Sequence, residues 1–216
     1  MGKKNKKNES TEKKSILLVE NDPQYPRIRQ GDIIKDIEYI ESFSEQSGSI
    51  TASKILFPLV LVLTQDCDLN QDYSYRTPEQ SENDECKREK DKDERIKTKN
   101  QDKYLMSVIV VPLYNYQHFL VGGHLSELGQ TMTDYTTASV LKDNIIKNQH
   151  PRYHFCGFDD SVPIVDSVID FKHYFTVNIK YLQFKRQTNY VCSISALYRE
   201  DISSRFANYL SRIGLP

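Results

Sequence analysis

Residues 58–69 read Pro-Leu-Val-Leu-Val-Leu-Thr-Gln-Asp-Cys-Asp-Leu, an apolar run that passes directly into polar side chains. Such a run fits a strand covered on both faces, with Thr64, Gln65, Cys67 and Asp68 emerging at its carboxyl end. A second run over residues 104–114 is similarly apolar and reads as its neighbour in a sheet. Between them, residues 71–103 interleave opposite charges, which fits a solvated helix of closely spaced ion pairs or a disordered loop. Gln30-Gly31-Asp32-Ile33-Ile34 opens a strand that runs to about residue 41, and residues 42–53 look loop-like. Further on, the spacing of Val140, Leu141, Ile145 and Ile146 predicts a short helix within residues 137–149. Residues 153–158 and 162–168 read as a hairpin, residues 169–184 as a longer extended run and residues 190–194 as another strand. The last period is helical: Ile202, Phe206, Leu210 and Ile213 fall three or four apart over residues 197–213, with Gly214 as a stop. About seven strands and two helices without βαβ alternation predict an α+β domain. Its expected form is a strongly curved, mostly antiparallel SH3-like β-barrel with a short helix and a C-terminal amphipathic helix.

The 216 residues suit one domain over 15–216, with residues 1–14 as a disordered Lys-rich tail and 71–103 as a charged insertion. The formal net charge of -1 is uneven. Residues 1–14 carry about +4, residues 71–103 about -1, and the rest about -4. A mildly acidic body lacks the broad basic surface that phosphate neutralisation requires, so charge does not favour a nucleic-acid partner. The amino terminus carries Lys and Glu where a secretory signal would be apolar, and no run approaches the ~18 residues of a membrane span. The expectation is a cytoplasmic protein with no membrane partner and with its four cysteines, Cys67, Cys86, Cys156 and Cys192, as thiols.

Candidate chemistry centres on Thr64 to Asp68. The carboxylates beside Cys67 disfavour a thiolate, so catalysis there needs an imidazole, and His173 with Asp170 nearby is the candidate; the alternatives are a structural or a binding cysteine. A metal reading adds His154 and Cys156, two apart on one strand face, to His173 and either Cys67 or Asp68. His118, His124 and His150 are given no role, and no cofactor is expected. Arg27, Arg29, Lys35 and Arg152, among fourteen tyrosines, suit either phosphate contacts with base stacking or plain strand packing. Arg205 and Arg212 lie seven apart on one helix face, placed to pair with Asp68 or to grip an anion.

Two stretches, Gln30-Gly31-Asp32-Ile33-Ile34 and Phe57-Pro58-Leu59-Val60-Leu61-Val62-Leu63-Thr64, resemble the PemK/MazF group of toxin endoribonucleases, with Phe57 at the family's arginine position. That resemblance implies an SH3-like barrel and places Thr64 at the family's hydroxyl position near the active site. A second resemblance is to uncharacterised bacterial proteins with a Thr/Ser-Gln-x-Cys-Asp-Leu element and a closing Arg-Phe-Ala helix that ends Arg-Ile-Gly-Leu-Pro. It rests on Thr64 to Leu69 and on Arg205 to Pro216, and it marks Gln65, Cys67, Asp68, Arg205 and Arg212 as characteristic positions. The leading expectation is a binding or interaction module of a bacterial toxin or phage-defence system, its partner another protein of the same operon. One alternative is a PemK/MazF-like endoribonuclease using Thr64, Asp68, His173 and Arg29; the other is a thiol or metal site at Cys67.

Overall fold

A computed structural model describes residues 17–77 and 101–212. The elements in chain order are β1 (Val19–Glu20), β2 (Asp32–Gln46), β3 (Ser49–Val62), α1 (Asp66–Arg76), β4 (Ser107–Asn115), α2 (Tyr116–Leu120), α3 (Ser139–Ile146), β5 (Tyr153–Cys156), β6 (Ser167–Asp170), β7 (Phe175–Asn178), α4 (Ile179–Asn189), β8 (Tyr190–Ile194) and α5 (Ala196–Leu210). The strands join in the order β1-β8-β2-β3-β4-β6-β5, with β7 also on β4, and every pairing is antiparallel. The result is an α+β fold around a strongly curled half-barrel sheet.

The apolar run of β3 is covered on both faces at its base. Leu61 and Leu63, with Val111 and Leu113 of β4, face one cluster that includes Phe171, Ile202 and Phe206. Val60 and Val62, with Val108 and Val110, face another that includes Leu69, Ile179 and Leu182. Alternate side chains of one strand therefore enter two cores, which explains why the run shows no polar alternation. A third cluster packs α2 and α3 against β5 and β6 through Phe119, Ile145 and Phe155. The expected pairing of the two apolar strands is present, with Val60, Leu61 and Val62 opposite Pro112, Val111 and Val110.

Three expectations are corrected. The strand stops at Val62, and Asp66 to Leu69 begin a helix. Asp66 and Asp68 in its first turn suit the positive end of the helix dipole, and Arg76 closes its last turn. The first residues of the expected insertion therefore belong to α1, while residues 78–100 and the expected tail at 1–14 lie outside the described residues. Residues 42–53 form no loop: they are the outer half of a long β2–β3 hairpin whose two-residue turn is Ser47-Gly48, at φ +52° and +78°. That turn has the handedness that matches strand twist. The extended run over 169–184 is divided. A turn at Phe171–His173 separates β6 from β7, and Asn178 then caps α4 by accepting from the amides of Lys180 (3.0 Å) and Tyr181 (3.3 Å).

Candidate interaction site

Beyond its base the β2–β3 hairpin is an arm with every residue from Ile40 to Lys54 exposed or, at Ala52, half-exposed. Directly opposed residues of an antiparallel pair share a face. The pairs are Glu38–Leu56, Ile40–Lys54, Phe43–Ala52 and Glu45–Ile50, with a bulge between Ile40 and Ser42 that keeps them on one side. The same face therefore carries Leu56, Ile40, Phe43, Ala52 and Ile50, interleaved with Glu38, Lys54 and Glu45. The large members stay open to solvent: Leu56 is 56%, Phe43 67% and Ile50 73% exposed. On the opposite face of the outer arm the pairs are Ser42–Ser53, Ser44–Thr51 and Gln46–Ser49, with no apolar residue among them. An exposed, segregated apolar stripe of this kind marks a contact surface.

At its foot the arm meets a groove of about 310 Å³ between β3 and the loop after α2. Leu56, Phe57 and Pro58 form one wall, Leu113 and Tyr114 the floor, and Leu128 the far side. A smaller cavity of about 210 Å³ shares Phe57 and Tyr114 and reaches His173. The arm's inner face is anchored here, because Phe175 of β7 stacks on Phe57 (5.0 Å) and meets Tyr39 edge-on (5.2 Å).

The groove floor is uncharged. Tyr114 Oη lies 3.0 Å from His173 Nδ1, and His173 Nε2 lies 3.5 Å from Asp170. Asp170 is buried and accepts from Arg152 at 2.7 and 2.5 Å. Burial pushes the Tyr114 phenol above its ordinary value, so it remains a hydroxyl. Burial, reinforced by the neighbouring His173, lowers His124 to about 4, leaving a neutral ring between Tyr114 and Phe119 at 4.8 and 5.0 Å. His173 is lowered as well, burial outweighing the pull of Asp170. Among the described residues, Glu127 is the one Asp, Glu, Lys or Arg of the groove lining, while the arm above it carries Glu38, Glu45 and Lys54 among the apolar residues of its striped face, Lys54 paired with Glu38 at 3.0 Å.

The residues singled out from the sequence are distributed elsewhere. Thr64 Oγ1 accepts from the Ile109 amide (2.7 Å) and so ends the β3–β4 ladder. Gln65, Cys67 and Asp68 are exposed at the start of α1, and the Cys67 thiol turns toward Gln65 and Asp68. The acid of that stretch with a structural role is Asp66. Its carboxylate accepts from Arg27 at 3.0 and 2.8 Å and from the Gln30 amide at 3.2 Å. Burial opposes ionisation of Asp66, but the Arg27 hydrogen bonds and charge outweigh it and hold the carboxyl below its usual range. Arg29 donates to Ser193 (2.8 Å) and approaches buried Asp32 at 3.7 Å. On β4, Ile109 holds Thr64 and Tyr114 holds His173. The two are five residues apart, on the order of 16 Å at ~3.3 Å per residue. His173 therefore stands apart from Thr64, while the Arg29 segment runs beside the Thr64 to Asp68 corner, with Gln30 bonded to Leu63 and Asp66.

His154 and Cys156 are both buried on β5, and burial, with the Arg205 charge, lowers His154 to about 3. Among the described residues, no three His, Cys, Asp or Glu are grouped so as to hold a metal. Arg205 is not paired with Asp68; it donates to the carbonyls of Asn148, His150 (2.8 Å) and Tyr153 (3.1 Å), fastening α5 to the segment before β5. Arg212 lies over the Tyr209 ring at 4.0 Å. Sequence reading missed the arm, although the alternation of Phe43, Glu45, Ile50 and Ala52 about Ser47-Gly48 was its signal. His124 and Tyr114 carried no comparable mark.

No helix among the described residues is long and apolar enough to cross a membrane. No family model, curated protein or solved structure matches the chain.

Proposed function

We propose that this protein is an interaction module that engages a protein partner through the apolar face of the β2–β3 arm and the groove at its foot, the half-barrel serving as an SH3-like scaffold. The observation that carries this reading is the exposure of Leu56, Ile40, Phe43 and Ile50 on one face of a strand pair whose other face is polar along the outer arm, from Ser42–Ser53 to Gln46–Ser49. If the stripe had no occupant, nothing would favour keeping large apolar side chains on one side of a solvated hairpin. The neutral floor and acidic rim favour a protein surface over nucleic acid, since phosphate would meet Glu45 and Glu127 rather than a bank of cations. The distance between Thr64 and His173 along β4 likewise favours a binding surface over a nuclease centre that uses both.

The test is the double variant Phe43→Thr/Ile50→Thr. Both side chains are exposed and threonine suits strands, so its stability should stay within about 0.5 kcal/mol of the parent. Affinity for the partner that forms a stoichiometric complex with the parent chain should fall at least about thirtyfold, as expected when two central apolar anchors are truncated. Unchanged affinity in the folded variant rejects the proposal.

A further inference from the structure

Along the sheet, β3 and β4 run together only at Val60 to Val62, after which β4 turns to pair with β6 through Leu113, Tyr114 and Asn115. From Ser49 to Leu59 the outer backbone edge of β3 has no strand beside it among the described residues. The groove is the wedge left by this divergence, with the β3 edge as one wall and Leu113 and Tyr114 as its floor. An open edge next to an apolar slot is the arrangement by which domains take up an extended peptide as an added strand: main-chain hydrogen bonds supply affinity, and alternate side chains enter the slot.

Resting on the interaction-module reading above, we infer that the partner contributes an extended segment that adds to the outer edge of β3, with apolar residues at alternate positions and a lysine or arginine toward the rim. The charge of the rim selects this occupant. Glu127, in the groove lining, makes no ion pair among the described residues, and neither does Glu45 on the arm, whose one cation, Lys54, is already held by Glu38. A second copy of the chain on the same edge would bring these carboxylates against their own counterparts, whereas a basic strand meets them favourably. Apolar side chains of the strand would rest on Leu56, Tyr114 and Leu128. Successive backbone groups of β3 alternate between β2 and the free edge, and Pro58 offers no amide, so the backbone bonds come from alternate residues of the segment 49–59.

The experiment pans a displayed library of random twelve-residue peptides against the full chain, then measures hydrogen exchange of the chain with the enriched peptides synthesised. The expected peptides alternate apolar residues and carry Lys or Arg. They should slow exchange of amides within residues 53–59 at least tenfold, and N-methylation at alternate peptide positions should abolish both effects. Failure to enrich, enrichment of acidic peptides, or protection confined to other segments overturns the inference. So does a peptide-free dimer with residues 53–59 protected, which would make a second copy the occupant. Loss of partner in Phe43→Thr/Ile50→Thr with these amides unprotected in the parent complex leaves the module standing and removes strand addition. Retention of partner by that variant removes the module itself.

Discussion

Replacing Asp32 by alanine should cost about 3–5 kcal/mol of stability, the range for stripping one partner from a buried ion pair. Asp32 is fully buried, and so very nearly is Arg186, whose Nε donates to Asp32 Oδ2 at 2.7 Å. The same carboxylate accepts from the Arg29 amide at 3.0 Å and from the Ser193 hydroxyl at 2.5 Å. Arg186 also donates to the Tyr25 carbonyl (2.7 Å), so the pair ties β2, β8 and α4 to the loop before β2. Without the carboxylate, the buried Arg186 keeps its bond to a carbonyl but loses its counter-charge, and the Arg29 amide and the Ser193 hydroxyl each lose an acceptor. At ~2–4 °C per kcal/mol for a domain of this size, thermal unfolding should move down on the order of 10 °C. A shift under about 2 °C would mean that water reaches Arg186 in the folded protein. Asp32→Leu with Arg186→Met should recover part of the loss, because the charge is removed together with its partner.

Acid should destabilise the fold from about pH 6.5 downward, earlier than carboxylates alone would cause. His154 is 1% exposed, and its folded value of about 3 lies below the ordinary ~6.5 of an unfolded histidine. For a group whose folded pKa is depressed, the unfolded chain takes up the proton first. Stability is then full above ~6.5 and declines by up to ~1.4 kcal/mol per pH unit until the folded value is reached. Burial lowers His124, His150 and His173 too, so they act in the same direction. The variant His154→Phe keeps a ring beside Phe171 and removes the titration; its urea midpoint should fall markedly less between pH 6.5 and 4.5 than that of the parent. Parallel curves for the two proteins would place the acid sensitivity elsewhere.

Elements whose period reflects a single environment were legible in the sequence, such as the doubly covered Leu/Val strand and the neighbour it pairs with. The short helix near residues 137–149 is also there, as Ser139–Ile146. Segments that change environment midway were misread. Residues 169–184 look uniformly extended because aromatic and β-branched side chains dominate them. Yet Asn178 supplies a helix cap, and Ile179, Leu182 and Arg186 then fall on one buried helical face. The Thr64 to Leu69 stretch looked reactive because its polar residues follow a core strand. Its side chains instead divide the work of a strand-to-helix corner, with Thr64 on a backbone amide, Asp66 on Arg27 and Leu69 in the core. The candidate site lay hidden for a similar reason: polar Ser and Thr on one face of the arm masked the apolar residues on the other, and a one-residue bulge broke their spacing. The groove depends on where β4 leaves β3, which no local pattern encodes.

The central claim is that one face of the arm meets a partner and the other does not. Photo-crosslinking residues placed singly at positions 43, 44, 50 and 51 test it directly in the cell, because Phe43 and Ile50 share one face while Ser44 and Thr51 share the other. The account predicts one recurrent crosslinked protein from 43 and 50, with yield at least tenfold lower from 44 and 51. Equal crosslinking from both faces, or none from 43 and 50 in the folded protein, would contradict it.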